Sequence, residues 1–134
     1  MTLRLSPGMR ERIVRDCLAR RPIEACGVVS ARGRFIPLAN ASDDPSLFSF
    51  HPEEQLRVWQ ELDAAGDRVD VVYHSHPRAP AVPSRTDIAF AAYPDVHYVI
   101  VGLADAASPQ LRSWHIEGGR ADEEDVVLVL TKEQ

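Results

Sequence analysis

The stretch Val69 to Pro77, Val-Asp-Val-Val-Tyr-His-Ser-His-Pro, constrains the fold more than any other part of this chain. Its β-branched and aromatic start reads as an interior strand, and its end places two histidines at positions i and i+2. Side chains alternate between the faces of a strand, so His74 and His76 point the same way and both imidazoles can meet one metal ion. The following segment, Arg78 to Pro83, contains two prolines. Such a segment is poor at regular structure but suits a stiff loop over a site. Ser84 then reads as the N-cap of a helix, and Asp87 falls at its third position, where it offers a hard oxygen. Two histidines, one aspartate and an open fourth position form the pattern of a catalytic rather than a structural metal site.

The other elements follow from periodicity. Ser6-Pro7 opens an amphipathic helix through Met9, Ile13, Val14, Cys17 and Leu18, which Arg20-Arg21-Pro22 stops. Ala25 to Ser30 and Arg34 to Ala39 read as a hairpin turning at Arg32-Gly33, with Pro37 pointing to an edge or a bulge. Asn40 to Ser46 reads as loop, and Phe48-Ser49-Phe50 has strand-like alternation. A second helix runs from His51-Pro52 to near Gly66, further strands are expected at 97–103 and 110–116, and 123–130 reads as a last strand or a terminal extension. Met1 to Leu5 carries neither a signal-peptide pattern nor an assigned element.

The chain has 134 residues, enough to bury roughly two thirds of its unfolded surface around one core. No apolar stretch approaches the roughly 20 residues that cross a bilayer, and a net charge of −5 opposes broad binding to nucleic acid or anionic membrane. A soluble cytoplasmic domain is expected. Arg10, Arg12, Arg15, Arg20 and Arg21 could form a basic patch, and the simpler reading is the solvated face of the first helix. Cys17 and Cys26 sit in no redox or haem pattern and read as buried thiols. His51, His97 and His115 are scattered among separate elements and read as structural or surface residues. H-x-H-x-D, P-C-x-x-C and H-E-x-x-H are all absent, which sets aside three other families of metal hydrolases and deaminases.

Glu24 lies upstream in Pro-Ile-Glu-Ala-Cys-Gly, and His74, His76, Ser84 and Asp87 follow with the spacing H-x-H-x7-S-x2-D. On these residues the chain resembles the JAMM/MPN+ zinc metalloproteases, whose motif is an upstream Glu followed by that string. The likeness extends over roughly Leu3 to Ile116 and is greatest to the compact prokaryotic members. It implies a single α/β domain of the MPN (cytidine-deaminase-like) type, a mixed, curved sheet flanked by helices, over residues 1–134 with 131–134 a frayed tail. It also implies one Zn2+ on His74, His76 and Asp87, with Glu24 as general base and Ser84 donating a hydrogen bond to the oxyanion.

Phe48 to Gln55 resembles, more loosely, the corresponding segment of bacterial hydrolases that free cysteine from a sulfur-carrier protein. The resemblance therefore implies cleavage at the C-terminal Gly-Gly tail of a ubiquitin-like sulfur carrier. Removal of such a modifier from lysine and non-catalytic partner binding stay open as alternatives, as does a homodimer.

Overall fold

Strand alternation divides the core in two. In the computed structural model, which describes residues 1–44 and 47–130, Val29, Val71, Tyr73, Val99 and Val101 pack with the first helix, while Val28, Val72, Tyr98 and Ile116 pack with the second. Neighbouring residues of one strand thus serve opposite faces, as the pleat requires. The elements run β1 Thr2–Leu5, α1 Pro7–Ala19, β2 Cys26–Ser30, β3 Phe35–Leu38, α2 Pro52–Ala64, β4 Val69–His76, α3 Arg85–Phe90, β5 His97–Gly102, β6 Gln110–Glu117 and β7 Arg120–Leu128. They form a mixed α/β architecture with a seven-stranded sheet in the order β1-β7-β6-β5-β4-β2-β3. The pairs β1–β7 and β4–β5 are parallel, and the remaining neighbours are antiparallel.

Local chemistry explains most of the boundaries. Ser6 has extended backbone and its side chain accepts a hydrogen bond from the Met9 N–H at 3.0 Å, while Pro7 occupies the first turn of α1. Pro52 likewise opens α2, with Glu53 and Glu54 in the first turn where the helix dipole favours negative charge. Pro37 lies on β3, the outer strand, where its missing N–H interrupts no ladder beyond.

Four expectations need correction. The first five residues contain a strand: Thr2–Leu5 pairs in parallel with the end of β7, burying Leu3 and Leu5. Phe48 to Phe50 is not a strand, because among the described residues an isolated bridge from Phe50 to Asn40 is its sheet pairing. Arg20 does not belong to a solvated face. Its guanidinium donates to both carboxylate oxygens of Asp16 and to the carbonyls of Leu38 and Cys26 at 2.6 and 2.7 Å, tying α1 to β2 and β3. The last strand begins earlier than its pattern suggested, at Arg120, directly after the Gly118-Gly119 turn. The expected frayed tail, 131–134, lies outside the described residues, as do Pro45 and Ser46 of the expected loop.

Candidate active site

The C-terminal half of β4 and the first turn of α3 build the centre. His74 and His76 lie on the face shared with Val72, and both are buried. Asp87 reaches them from α3 because Ser84 and Asp87 fold into a reciprocal cap. The Asp87 N–H donates to Ser84 Oγ at 3.0 Å, and the Ser84 N–H donates to Asp87 Oδ2 at 2.9 Å. The Asp87 carboxylate then spans the two rings, with Oδ1 3.2 Å from His74 Nε2 and Oδ2 3.0 Å from His76 Nε2. The two Nε2 atoms are themselves 3.2 Å apart.

This donor set fits a zinc ion. His76 Nδ1 lies 2.9 Å from the carbonyl oxygen of Pro80, which can only accept, so in the neutral ring Nδ1 holds the hydrogen and Nε2 presents a lone pair. That lone pair faces a second imidazole and a carboxylate, an arrangement that leaves electron-rich atoms crowded unless a cation or proton lies among them. His74, His76 and Asp87 are the group of described residues whose ligand atoms lie within 4.8 Å of one another, and two imidazoles with a carboxylate suit zinc.

The electrostatics divide the three groups, since the shifts of Asp87 and His74 favour the ligating forms whereas that of His76 favours a bound proton. Burial would raise the Asp87 carboxyl, but its close contacts with His74 and His76 outweigh it and hold the group well below the usual carboxylate range. Burial pushes His74 down toward the neutral, ligating form, against the pull of Asp87. Burial also acts to lower His76, yet its bonds to Asp87 and Pro80 prevail and raise it.

Glu24, two residues before the start of β2, is buried, and desolvation pushes its carboxyl up to about 8, with His76 opposing and Asp87 and Asp44 adding to the rise. It lines a cavity of about 380 Å³ with Pro22, His76, Arg78 and Ser84. A second cavity, about 290 Å³ and mainly apolar, has His74 and Asp87 in its wall together with Phe48, Phe50, Val72 and Tyr93. The structure thus brings His74, His76 and Asp87 into one cluster and sets Glu24 and Ser84 beside His76.

Several residues around the site went unassigned in the sequence. Ser75, between the histidines and fully buried, accepts a hydrogen bond from the Ala25 N–H at 2.9 Å and returns one from its own N–H to Ala25 O at 3.0 Å. The residue after Glu24 is thereby fastened to the middle of the histidine pair. Asn40 donates to the Glu24 carbonyl at 3.0 Å and to the Leu47 carbonyl at 2.9 Å. The Phe48 ring stacks on His74 with centroids 4.4 Å apart. The bonds of Ser75 to Ala25 and of Asn40 to Glu24 have no local signature, since the partners lie 50 and 16 residues apart in sequence. Phe48 was legible only as part of a loosely similar segment.

The remaining candidates lie elsewhere. His97 bonds Glu124 at 2.6 Å, His115 sits 3.4 Å from Glu117, and His51 precedes α2 without a side-chain cap bond. Cys17 and Cys26 are free and buried, and burial pushes both thiols up to about 12, so neither is poised as a nucleophile. Trp114 donates its indole N–H to the Ala81 carbonyl at 3.1 Å, pinning the loop that carries Pro80. Among the described residues no helix is long and apolar enough to cross a membrane.

A mixed sheet with paired histidines at the end of one strand and an aspartate on the helix facing it defines a protein of the JAB/MPN class. More narrowly, residues 6–117 match the family of prokaryotic homologs of the JAB domain, and the chain belongs to that family. It is 41% identical over 119 residues to the CysO-cysteine peptidase of Mycobacterium tuberculosis, a match covering 83% of this chain and 82% of the relative. It is 33% identical over 106 residues to the probable TtuB-protein conjugate cleaving protease of Thermus thermophilus, covering 76% and 71%. Among solved structures, a protein from Desulfitobacterium hafniense superposes with a TM-score of 0.84 at 31% identity, over 96% of this chain and 93% of that one. A JAB1/MPN domain protein from Archaeoglobus fulgidus shares the fold, with a TM-score of 0.59 at 20% identity over 93% and 99% of the two chains.

Proposed function

We propose that this protein is a zinc-dependent peptidase that hydrolyses an amide at the C-terminal Gly-Gly tail of a ubiquitin-like sulfur-carrier protein, releasing cysteine or a short tail. The observation that carries this reading is the convergence of His74, His76 and Asp87 beside a cavity lined by buried Glu24 and by Ser84. The likeness to a CysO-cysteine peptidase supports the choice of substrate.

His74, His76 and Asp87 would hold the metal. When bound, zinc supplies Lewis acidity that polarises the scissile carbonyl and makes water acidic enough to lose a proton near neutral pH. Glu24 in its ionised form takes one proton from the attacking water as the water oxygen bonds to the carbonyl carbon. It passes that proton to the leaving nitrogen as the C–N bond breaks, giving a carboxylic acid and an amine, and the acid's proton, the second from the water, then moves to the amine to leave a carboxylate and an ammonium. The proximity of positive charge offsets the burial that otherwise keeps Glu24 protonated. Ser84 Oγ already accepts from the Asp87 N–H, which fixes the oxygen and leaves its hydrogen free to be donated to the oxyanion. Two glycines ahead of the scissile bond bring no side chains, so an extended tail can thread a narrow approach.

The likeness to a protein-conjugate cleaving protease favours a second reading, removal of a ubiquitin-like modifier from a lysine. Mass spectrometry of carrier–cysteine and carrier–lysine conjugates incubated with metal-replete protein tests both. Cleavage of the cysteine conjugate after Gly-Gly is the expected result, and intact conjugates of both kinds would overturn the proposal.

A further inference from the structure

We infer that Arg78 recognises a free α-carboxylate on the leaving group, so that this site selects a C-terminal amino acid over a lysine-linked protein. The inference rests on the proposed hydrolytic role of the Glu24 cavity.

Three observations place Arg78 there. It lines the same cavity as Glu24, His76 and Ser84, and it is the permanent cation among the lining residues. Among the described residues its guanidinium has no ion-pair or hydrogen-bond partner, whereas Arg20 and Arg57 are engaged with carboxylates of their own helices. It also stands two residues after His76, in a loop anchored by the His76–Pro80 contact and by the Trp114 bond to Ala81.

Proton delivery decides which part of the substrate occupies this cavity. Glu24 must reach the leaving nitrogen, so the leaving group lies on the Glu24 side of the centre. In an α-amino acid the carboxylate is two bonds from that nitrogen. Its negative charge would then share a small cavity with Glu24, and an unpaired second anion there would be repelled. A guanidinium at the rim offsets that repulsion and can donate a two-pronged hydrogen bond to the carboxylate. A lysine Nε leaving group places a four-carbon stem in the same space and brings no carboxylate, so it gains nothing from Arg78.

The test uses two substrates that differ in one group: the carrier tail ending in Gly-Gly-Cys with a free carboxylate, and the same chain with a C-terminal carboxamide. Metal-replete wild-type protein should cleave the free acid with a kcat/KM about tenfold or more above the carboxamide, a charged hydrogen bond's share. R78A should bring the two values together by slowing only the acid, and R78K should restore part of the preference through its point charge. Raising the salt concentration should narrow the wild-type gap. Equal rates on both substrates in wild type, or an unchanged preference in R78A, would overturn the inference while leaving peptidase activity intact. Failure to cleave either substrate would instead strike at the proposed function itself.

Discussion

His76 Nδ1 lies 2.9 Å from the carbonyl oxygen of Pro80, whereas Nδ1 of the neighbouring His74 is buried without a hydrogen-bond partner among the described residues. One imidazole is thus oriented by hydrogen bonding, and the other by the Phe48 ring stacked on it. The two histidines of a symmetric-looking motif are held by different physics.

The Pro80 contact depends on close approach at Gly102. A Cβ built there would meet Ala81 N at 2.6 Å and the Pro80 carbonyl carbon at 2.9 Å, both backbone atoms that cannot swing away. G102A should therefore displace the 79–81 loop, lower thermal stability by about 1–3 kcal/mol and weaken zinc binding by about tenfold or more. Calorimetric metal titration beside thermal melts checks this, and unaltered zinc affinity would separate Gly102 from the site.

Replacing Glu24 by Gln removes the base while keeping the shape. Turnover should fall by at least about 10²-fold with zinc stoichiometry preserved, because Glu24 is not among the grouped metal-ligating side chains. Single-turnover rates paired with elemental analysis give the answer. A rate within a few-fold of wild type would mean that another group takes the proton.

Chelation should abolish activity, and added zinc should restore it. Because the side chains proposed as ligands come from β4 and α3, a bound ion would also link these elements. At a free concentration 1,000 times its dissociation constant it should stabilise the fold by about 4 kcal/mol. A melting temperature indifferent to zinc would contradict the assignment of His74, His76 and Asp87.

The two thiols predict an alkaline limit. Burial pushes Cys17 and Cys26 up to about 12, so the folded chain keeps protons that the unfolded chain releases above about pH 8.5. The folded state then binds more protons than the unfolded one, and stability must fall as pH rises from about 9 toward 12. Below that window the thiols contribute no pH dependence. Denaturant melts across pH 8–11 should show the decline, and alkylation at pH 8 should be slow until the chain unfolds.

Arg20 should matter to stability more than any exposed arginine of α1. It satisfies Asp16 and two backbone carbonyls, and Tyr73 donates its hydroxyl hydrogen to the same Asp16 carboxylate at 2.6 Å. R20A should cost about 2 kcal/mol by leaving these acceptors without their cation, while R12A should change little. Urea melts of the two variants make the comparison.

The sequence by itself determined the elements whose signals are local. The Ser6-Pro7 and Pro52 helix starts, the β4 run into His74 and His76, and the Ser84–Asp87 cap all follow from spacing, propensity and capping over a few residues. The motif also named the five residues proposed for the site. Tertiary structure decided what depends on partners distant in sequence. Thr2–Leu5 becomes a strand only because β7 lies beside it, since an isolated four-residue strand has no hydrogen-bonding partner of its own. Phe50 keeps a single bridge where its alternation suggested more. Arg20 turns inward because the carbonyls of Cys26 and Leu38 converge beneath it. Ser75 fastens Ala25, next to Glu24, beside two histidines some fifty positions away, a contact no local pattern encodes because chain folding alone brings those backbones within hydrogen-bond reach.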